Sequence, residues 1–582
     1  MLLYPPEWTL PLQTEAEVDE AVIQHQRQIE ELHDRIRLLW SRRNSVTPVG
    51  RLPPEVLSEV FSALVEDYAE KYYPQFGSRT PQHWLAIMRV CRHWHDVALH
   101  TPRVWSHILI GAGAVDKLFT FLQRSGQSPL NVVQTKWRKI SLPKETQEGL
   151  AHCMHRVQSL SADLGADFFA AAESSCLDAP LLETLSISTT FDASHISFES
   201  TGKAIWPRLQ VLDGRDLPHS FIQAAVRPTL TSLKLYNVRD RKPADTWAGL
   251  LSGMPNLQHL ELWAVMDNLQ APVADNAKAL APIPLPHLTS ISLYNHSGAS
   301  CAHLLRRISI PSDVRIAVET TGGSRNPGHA DLLVKALASK SRAGVDIIGE
   351  PRLAQAITLN FRSIHNVGIK VYTQHDNHDV PDGRVPLDQA SCTTSVVTRG
   401  SRVVDTFFTH YPLSEVHTAL IIFIVPANVK LGHALSMLPH LRKVEIRQDD
   451  ELATSLIHNL CNSSSFPKLE SVTLTDIQWN KRHKGMMTSD NLLSPLVSAL
   501  DARRKQGMGI KRLVIRSGKN MRDDYNYEKD IKRVKELVDE FEVDGEESDD
   551  ECSTCGSTNE SGSEDELGGT NVEWEDLMVD EW

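Results

Sequence analysis

PTLTSLKLY (Pro228–Tyr236), PNLQHLELW (Pro255–Trp263) and PHLTSISLY (Pro286–Tyr294) are successive copies of one unit. Each begins Pro-x-apolar-x-x-apolar-x-apolar. Its second half alternates, which puts apolar side chains on one side of a strand and the residues between them on the other. The unit recurs in both directions: PLLETLSI from Pro180 and PRLQVLDG from Pro207 upstream, PHLRKVEI from Pro439 and PKLESVTL from Pro467 downstream. A last version at Ile510, Leu513 and Ile515 lacks the proline, and the copy at Pro207 has Gly214 in its final apolar place. The first five prolines are 27, 21, 27 and 31 residues apart. One such unit cannot bury its apolar edge alone, so neighbours are expected to stack as a curved array.

A strand of the form L-x-x-L-x-L at intervals near 20–30 residues resembles the leucine-rich repeat. The expected array covers residues 111–518. Between Pro286 and Pro439 the unit fades, although DVRIAVE, AITLNF and IKVYT keep strand alternation. Residues 298–430 are therefore either degenerate units or an inserted domain.

The eighth residue after the proline is Tyr236, Trp263 and Tyr294 in three successive units and Arg215 in the unit before them. Adjacent parallel strands bring equivalent positions about 4.8 Å apart, so these side chains form a row. Exposed aromatics are typical binding anchors, and Arg215, Tyr236, Trp263 and Tyr294 are the candidate substrate-binding residues. Aromatics also favour strands for packing alone, with the ring folded over the loop. Lys234, Glu261 and Ser292 lie two positions earlier as a polar flank.

Upstream of the repeats the periodicity becomes helical. RLPPEVL opens at Arg51, with Pro53-Pro54 suited to a helix start. Val56, Leu57, Val60, Phe61 and Leu64 mark one apolar face. Glu66–His83 reads as an inserted loop, and a second helix comes after it with Leu85, Met88, Cys91, Trp94 and Ala98 near helical spacing. It stops before Thr101-Pro102 and Val104-Trp105. LPPEVLSEVF followed by WLAIMRVCRHWHDVALHTPRVWSHI resembles an F-box of the F-box-like type abundant in mushroom-forming fungi. The departure from that pattern is the Glu66–His83 insertion.

The resemblance implies a small helical module, over residues 50–108, that docks onto the Skp adaptor of Skp–cullin–F-box ubiquitin ligases while the substrate is held elsewhere on the chain. By position it implies an adaptor-facing surface of Leu52, Pro53, Val56, Leu57 and Val60, with Trp94 and Trp105 packing the module's own core. The partners implied are a Skp-type adaptor, a cullin through it, and a protein substrate. A rival reading is an interaction scaffold that recruits no cullin assembly. A third is an enzyme within Ser297–Val425.

After an N-terminal arm, 1–14, residues 15–45 form an amphipathic helix. Val22, His25, Ile29, Leu32, Ile36 and Leu39 alternate in steps of three and four, an a/d seam. At under three heptads, with His25 in it, the seam is expected to pack on neighbouring helices of its own chain. Pairing with a second copy is the alternative.

At the other end, Glu536–Trp582 holds 19 Asp or Glu and no Lys or Arg, which leaves 54 acidic against 60 basic residues elsewhere. The formal charge of −13 thus belongs to the segment 536–582, read as a disordered acidic tail. Within it Ser548 and Ser563 precede acidic runs that acid-directed kinases favour.

The remaining constellations do not reach chemistry. No nucleophile is paired with a base, and GAGA at Gly111 lacks the elements of a dinucleotide loop. His375, Asp376, His378 and Asp379 read as a solvated loop. Cys552 and Cys555 are a lone pair where structural zinc needs four ligands. No catalytic residue, metal or cofactor is expected. Arg503-Arg504-Lys505 and Lys481–Lys484 are small basic clusters read as solvated faces, so nucleic acid is not an expected partner. The apolar run Ala419–Val425 is far below the roughly 20 residues that span a bilayer, and no signal peptide is apparent, so a cytoplasmic or nuclear setting is expected. The fold class expected is α + α/β: a helical F-box module, an irregular leucine-rich-repeat-like α/β solenoid and a disordered acidic tail.

Overall fold

The computed structural model describes residues 14–72, 83–110, 115–134, 142–175, 178–189, 206–267, 281–320, 328–341, 347–348, 353–363, 366–372, 392–399, 402–422, 431–436, 438–461, 465–482, 489–517 and 527–543. The arm at 1–13, Gly111–Ala114, the His375–Asp379 cluster, Lys484, Ser548, Ser563 and Cys552/Cys555 lie outside them.

Helix α1 spans Glu15–Val46. Thr14 starts it with a capping box. Its side chain accepts from the Glu17 amide at 3.3 Å, and the Glu17 carboxylate accepts from the Thr14 amide at 3.0 Å. No residue of α1 is buried. The expectation that its seam packs on neighbouring helices of the chain is thus corrected among the described residues. The chain leaves the helix through a tight turn. Thr47 Oγ1 donates to the Asn44 carbonyl at 2.7 Å, and the chain turns so closely that a Cβ on Gly50 would lie 2.0 Å from the same oxygen. A short 3₁₀ turn, Val49–Arg51, then leads away into α2, Pro54–Tyr72.

Two expectations for the helical region are corrected. Glu66–Tyr72 is not loop, because α2 continues to Tyr72. The second helix is two pieces, a 3₁₀ segment His83–Arg89 and α3, Arg92–Leu99. They part at Cys91, whose φ of −165° and ψ of 166° are fully extended. Trp84, Trp105 and Phe121 meet edge to face at 5.2–6.1 Å, and the buried Trp105 donates Nε1–H to the Ala98 carbonyl at 2.8 Å. Phe121 belongs to the next helix, Val115–Arg124, so the helical region shares one apolar core with the sheet and helices C-terminal to it.

That C-terminal part is a mixed α/β region built on a sheet of 17 strands. In chain order β1 to β8 are His107–Ile110, Leu130–Gln134, Val157–Leu164, Thr184–Thr189, Val211–Arg215, Ser232–Tyr236, His259–Trp263 and Ser290–His296. Strands β9 to β13 are Arg315–Thr320, Ala356–Ser363, Asn366–Tyr372, Cys392–Arg399 and Thr418–Ile422. The last four, β14 to β17, are Lys443–Arg447, Ser471–Thr475, Arg512–Arg516 and Glu540–Val543. Neighbours in sequence are neighbours in space and parallel, with one exception. The chain enters β10 three places from β9 and folds back, giving the order β9-β12-β11-β10-β13 with β11 antiparallel to both sides. Segments AITLNF and IKVYT thus belong to the same sheet as the recognisable units.

The units share two backbone events, the first in all seven that have the proline and the second in all of these but the one from Pro180. The apolar residue two after the proline donates to the carbonyl before it: Leu182 to Ala179, Leu209 to Trp206, Leu230 to Arg227, Leu257 to Met254, Leu288 to Leu285, Leu441 to Leu438 and Leu469 to Phe466, at 3.1–3.5 Å. This is a β-turn with proline where its fixed φ is favoured. Nine residues after the proline the chain turns through left-handed backbone: Asp216, Asn237, Ala264, Asn295, Gln448 and Asp476, with φ of 52–61°. Ser517 does the same after β16. Asn and Asp tolerate this region better than other side chains. Gly214 is also explained, since a Cβ there would lie 2.4 Å from Leu217 Cδ1, which fills the apolar place.

Residues 536–543 are corrected from tail to fold. Helix Tyr527–Leu537 buries Ile531, Val534 and Leu537, and β17 pairs in parallel with β16. The acids Glu540 and Glu542 face Arg512 at 3.5 and 3.4 Å. Arg503 is likewise not on a solvated face. It is fully buried, and its guanidinium donates to the carbonyls of Ser465, Phe466 and Met508 at 2.8–3.1 Å.

Candidate binding surfaces

Two surfaces stand out. The first is on α2, where two apolar stripes run one residue apart. Leu57, Phe61 and Val65 point into the core at 0–1% exposure, whereas Val56, Val60 and Leu64 are 43–49% exposed. Both stripes follow i, i+4, i+8 spacing, so a helix carries them as adjacent lines. Pro54 opens the helix without losing a hydrogen bond, and the Pro53 carbonyl accepts from Val56 and Leu57 at 3.0 and 3.1 Å. Pro53 is exposed and Leu52 is half-buried against the core. Of the five residues expected on the adaptor-facing surface, Leu57 is therefore removed, because its side chain is spent on the chain's own core. Leu64 continues the exposed line of Val56 and Val60, and its i+8 relation to Val56 is visible in the sequence. Opposite, Trp94 leans on Phe61 with ring centroids 5.1 Å apart.

The second surface is the row along β5 to β8. Strand register places Ser188, Arg215, Tyr236, Trp263, Tyr294 and Glu319 side by side. The Arg215 guanidinium lies 5.3 Å from the Tyr236 ring centroid, within cation–π reach. Tyr236 to Trp263 is 6.3 Å at 32°, and Trp263 to Tyr294 is 4.9 Å at 37°. The rings lean on each other, and Trp263 remains 41% exposed.

The next row inward holds Asp213, Lys234, Glu261 and Ser292 in register. Glu261 was only a flank in the sequence. Here it accepts from the Tyr236 hydroxyl at 2.9 Å and fixes the ring. Burial first, and then the Glu261 carboxylate, push the phenol well above its usual range, so Tyr236 stays a neutral donor. Beneath the row, His296 is fully buried. Its Nδ1 accepts from the Met266 amide at 3.3 Å, and Nε2–H donates to the Leu262 carbonyl at 3.1 Å. This clamps the corner at Ala264 that comes after Trp263. Burial lowers the His296 pKa to about 4, so the ring is neutral and suited to both bonds.

The row offers flat aromatic area with a cation at one end and a carboxylate at the other, a surface for contact. Among the described residues no three His, Cys, Asp or Glu side chains form a metal-binding group, and no described helix is long and apolar enough to cross a membrane.

Residues 49–111 match the family model described as F-box-like. The match contains both stripes of α2, α3 and the first strand of the sheet. No curated protein matches the chain. The chain therefore carries an F-box-like region, a module that binds Skp-type adaptors and whose bearers are typically non-enzymatic.

Proposed function

We propose that the protein is a substrate receptor of a Skp–cullin–F-box ubiquitin ligase, acting in the cytoplasm or nucleus. In this reading Leu52, Pro53, Val56, Val60 and Leu64 meet the adaptor, and the cullin is reached through it. The mixed α/β region is a leucine-rich-repeat-like solenoid that holds a protein substrate on the row Arg215, Tyr236, Trp263 and Tyr294. The chain contributes tethering alone, raising the local concentration of substrate at the ligase.

The observation that carries the reading is the split of α2 into a buried and an exposed apolar stripe inside the F-box-like region. Apolar residues at 43–49% exposure along one helix line are suited to a partner's groove. The array reading is supported by the recurrent proline turn and left-handed corner.

The substrate half is tested by capture. Full-length protein and a Tyr236→Ala/Trp263→Ala variant are compared for proteins retained from the cells that make it. Loss of a specific retained protein with adaptor binding intact is expected. Equal retention by both forms contradicts the assignment of the row. The interaction-scaffold reading is separated by the cullin: adaptor recovered without cullin favours the scaffold.

A further inference from the structure

We propose that α1 pairs with α1 of a second copy as a parallel two-stranded coiled coil, making the protein a dimer through its N-terminal helix. The observation is an apolar seam without cover. Val18, Val22, Ile29, Leu32, Ile36, Leu39 and Val46 are 42–62% exposed, and no residue of the 32-residue helix is buried.

These residues occupy one heptad frame without a break. Val22, Ile29 and Ile36 are a positions, and Val18, Leu32, Leu39 and Val46 are d positions, with the polar residues Glu15 and Arg43 at a and His25 at d completing the frame. Counting Val18 and Val46 beyond the Val22–Leu39 seam, the capped helix carries this frame over about four heptads, about 42 Å at 1.5 Å per residue. That exceeds the length at which an isolated helix is marginal.

The identity of the occupant is set by side-chain shape. β-Branched residues at a with leucine at d fit two parallel strands rather than three or four. The central layers, Ile29, Leu32, Ile36 and Leu39, have this form. The facing g and e′ pairs of a parallel dimer within the helix are Ala21–Gln26, Gln28–His33 and Arg35–Trp40, and none sets like charges together. Arg35 and Trp40 are a cation and an aromatic ring in reach of each other. Arg43 falls in the last turn, where its long stem lets the charge reach water.

Size agrees as well. At these exposures the seam and Trp40 present on the order of 700 Å² per helix, so a pair removes on the order of 1,400 Å² from water, the size of a standard specific interface. Pairing brings two F-box-like regions and two aromatic rows into one particle. A substrate with two recognised segments, or one that self-associates, is then held bivalently.

The test is the mass of the full-length chain by light scattering. Wild type is expected at twice the 65.1 kDa of one chain. Ile29→Asp/Ile36→Asp is expected to halve that mass. Ile23→Asp/Leu38→Asp alters residues 48% and 54% exposed but outside the seam, and is expected to leave the dimer intact. All four positions are exposed in the single chain, so none of these changes removes a core contact. Val18→Cys reports orientation, since parallel helices place the two thiols opposite each other and antiparallel helices hold them tens of ångströms apart. A covalent dimer on a non-reducing gel, absent from wild type, is expected. Monomeric wild type, or one that shifts only when a different protein is added, overturns the proposal. So does equal loss of the dimer in both double variants, and a dimer that Val18→Cys fails to lock overturns the parallel arrangement.

Discussion

Ala264 stands where the corresponding corner holds Asp216, Asn237 and Asn295, with a φ of 52° that alanine reaches at a cost of about 1 kcal/mol. Ala264→Gly is expected to raise unfolding stability by about 1 kcal/mol in urea titration; a loss of stability would show that the corner depends on the methyl group. Further along the chain, His296 ties the same corner from below. Its pKa is about 4 in the fold against roughly 6.5 unfolded. The folded pKa is depressed, so the unfolded chain takes up the proton first as pH falls. The contribution of His296 is full above pH 6.5 and lost between 6.5 and about 4, on the order of 3 kcal/mol in all. His296→Gln is expected to flatten that part of the stability–pH curve whatever it does to stability at pH 7.5. An unchanged slope would assign the acid sensitivity elsewhere, His219 being another buried histidine with a lowered pKa.

Single elements show what could be read and what could not. Helix α2 was legible as an apolar face, but five apolar residues on one face do not say where core ends and surface begins. Only burial in the fold divides Leu57, 1% exposed, from Val56, 43% exposed. The same limit hid Arg503. The string Arg503-Arg504-Lys505 looks uniformly basic, yet a guanidinium that meets three carbonyls is a structural part. Arg503→Met takes the guanidinium from those carbonyls, of which Phe466 keeps the Leu469 amide, and is expected to cost about 3 kcal/mol, whereas Lys505→Ala, at a 74% exposed side chain, is expected to change stability by under about 0.5 kcal/mol. Equal effects in thermal melts would contradict the geometry. For α1 the periodicity was plain, and what was missing was its surroundings. The capping box Thr14-x-x-Glu17 could have signalled a helix built to stand by itself.

Across the whole molecule the units with a proline turn are the ones sequence reveals, because turn, strand and corner all leave a residue signature. Strands β10 to β12 leave only alternation, which a parallel unit and an antiparallel meander share, so their reversed order emerges only from pairing. The acidic end divides by its apolar residues: Leu537, Val538 and Phe541 draw 536–543 onto the sheet beside Arg512 and Arg516. The molecule joins a helix with an exposed apolar stripe to a long aromatic row, and the ligase role proposed for it depends on that stripe. The most direct test is recovery of the Skp-type adaptor with full-length wild type and with Val56→Asp/Val60→Asp, which alters only residues already 43% and 49% exposed. Adaptor bound to wild type and lost from a variant that melts at the same temperature is the predicted result. Equal recovery from both, or none from either, would contradict it.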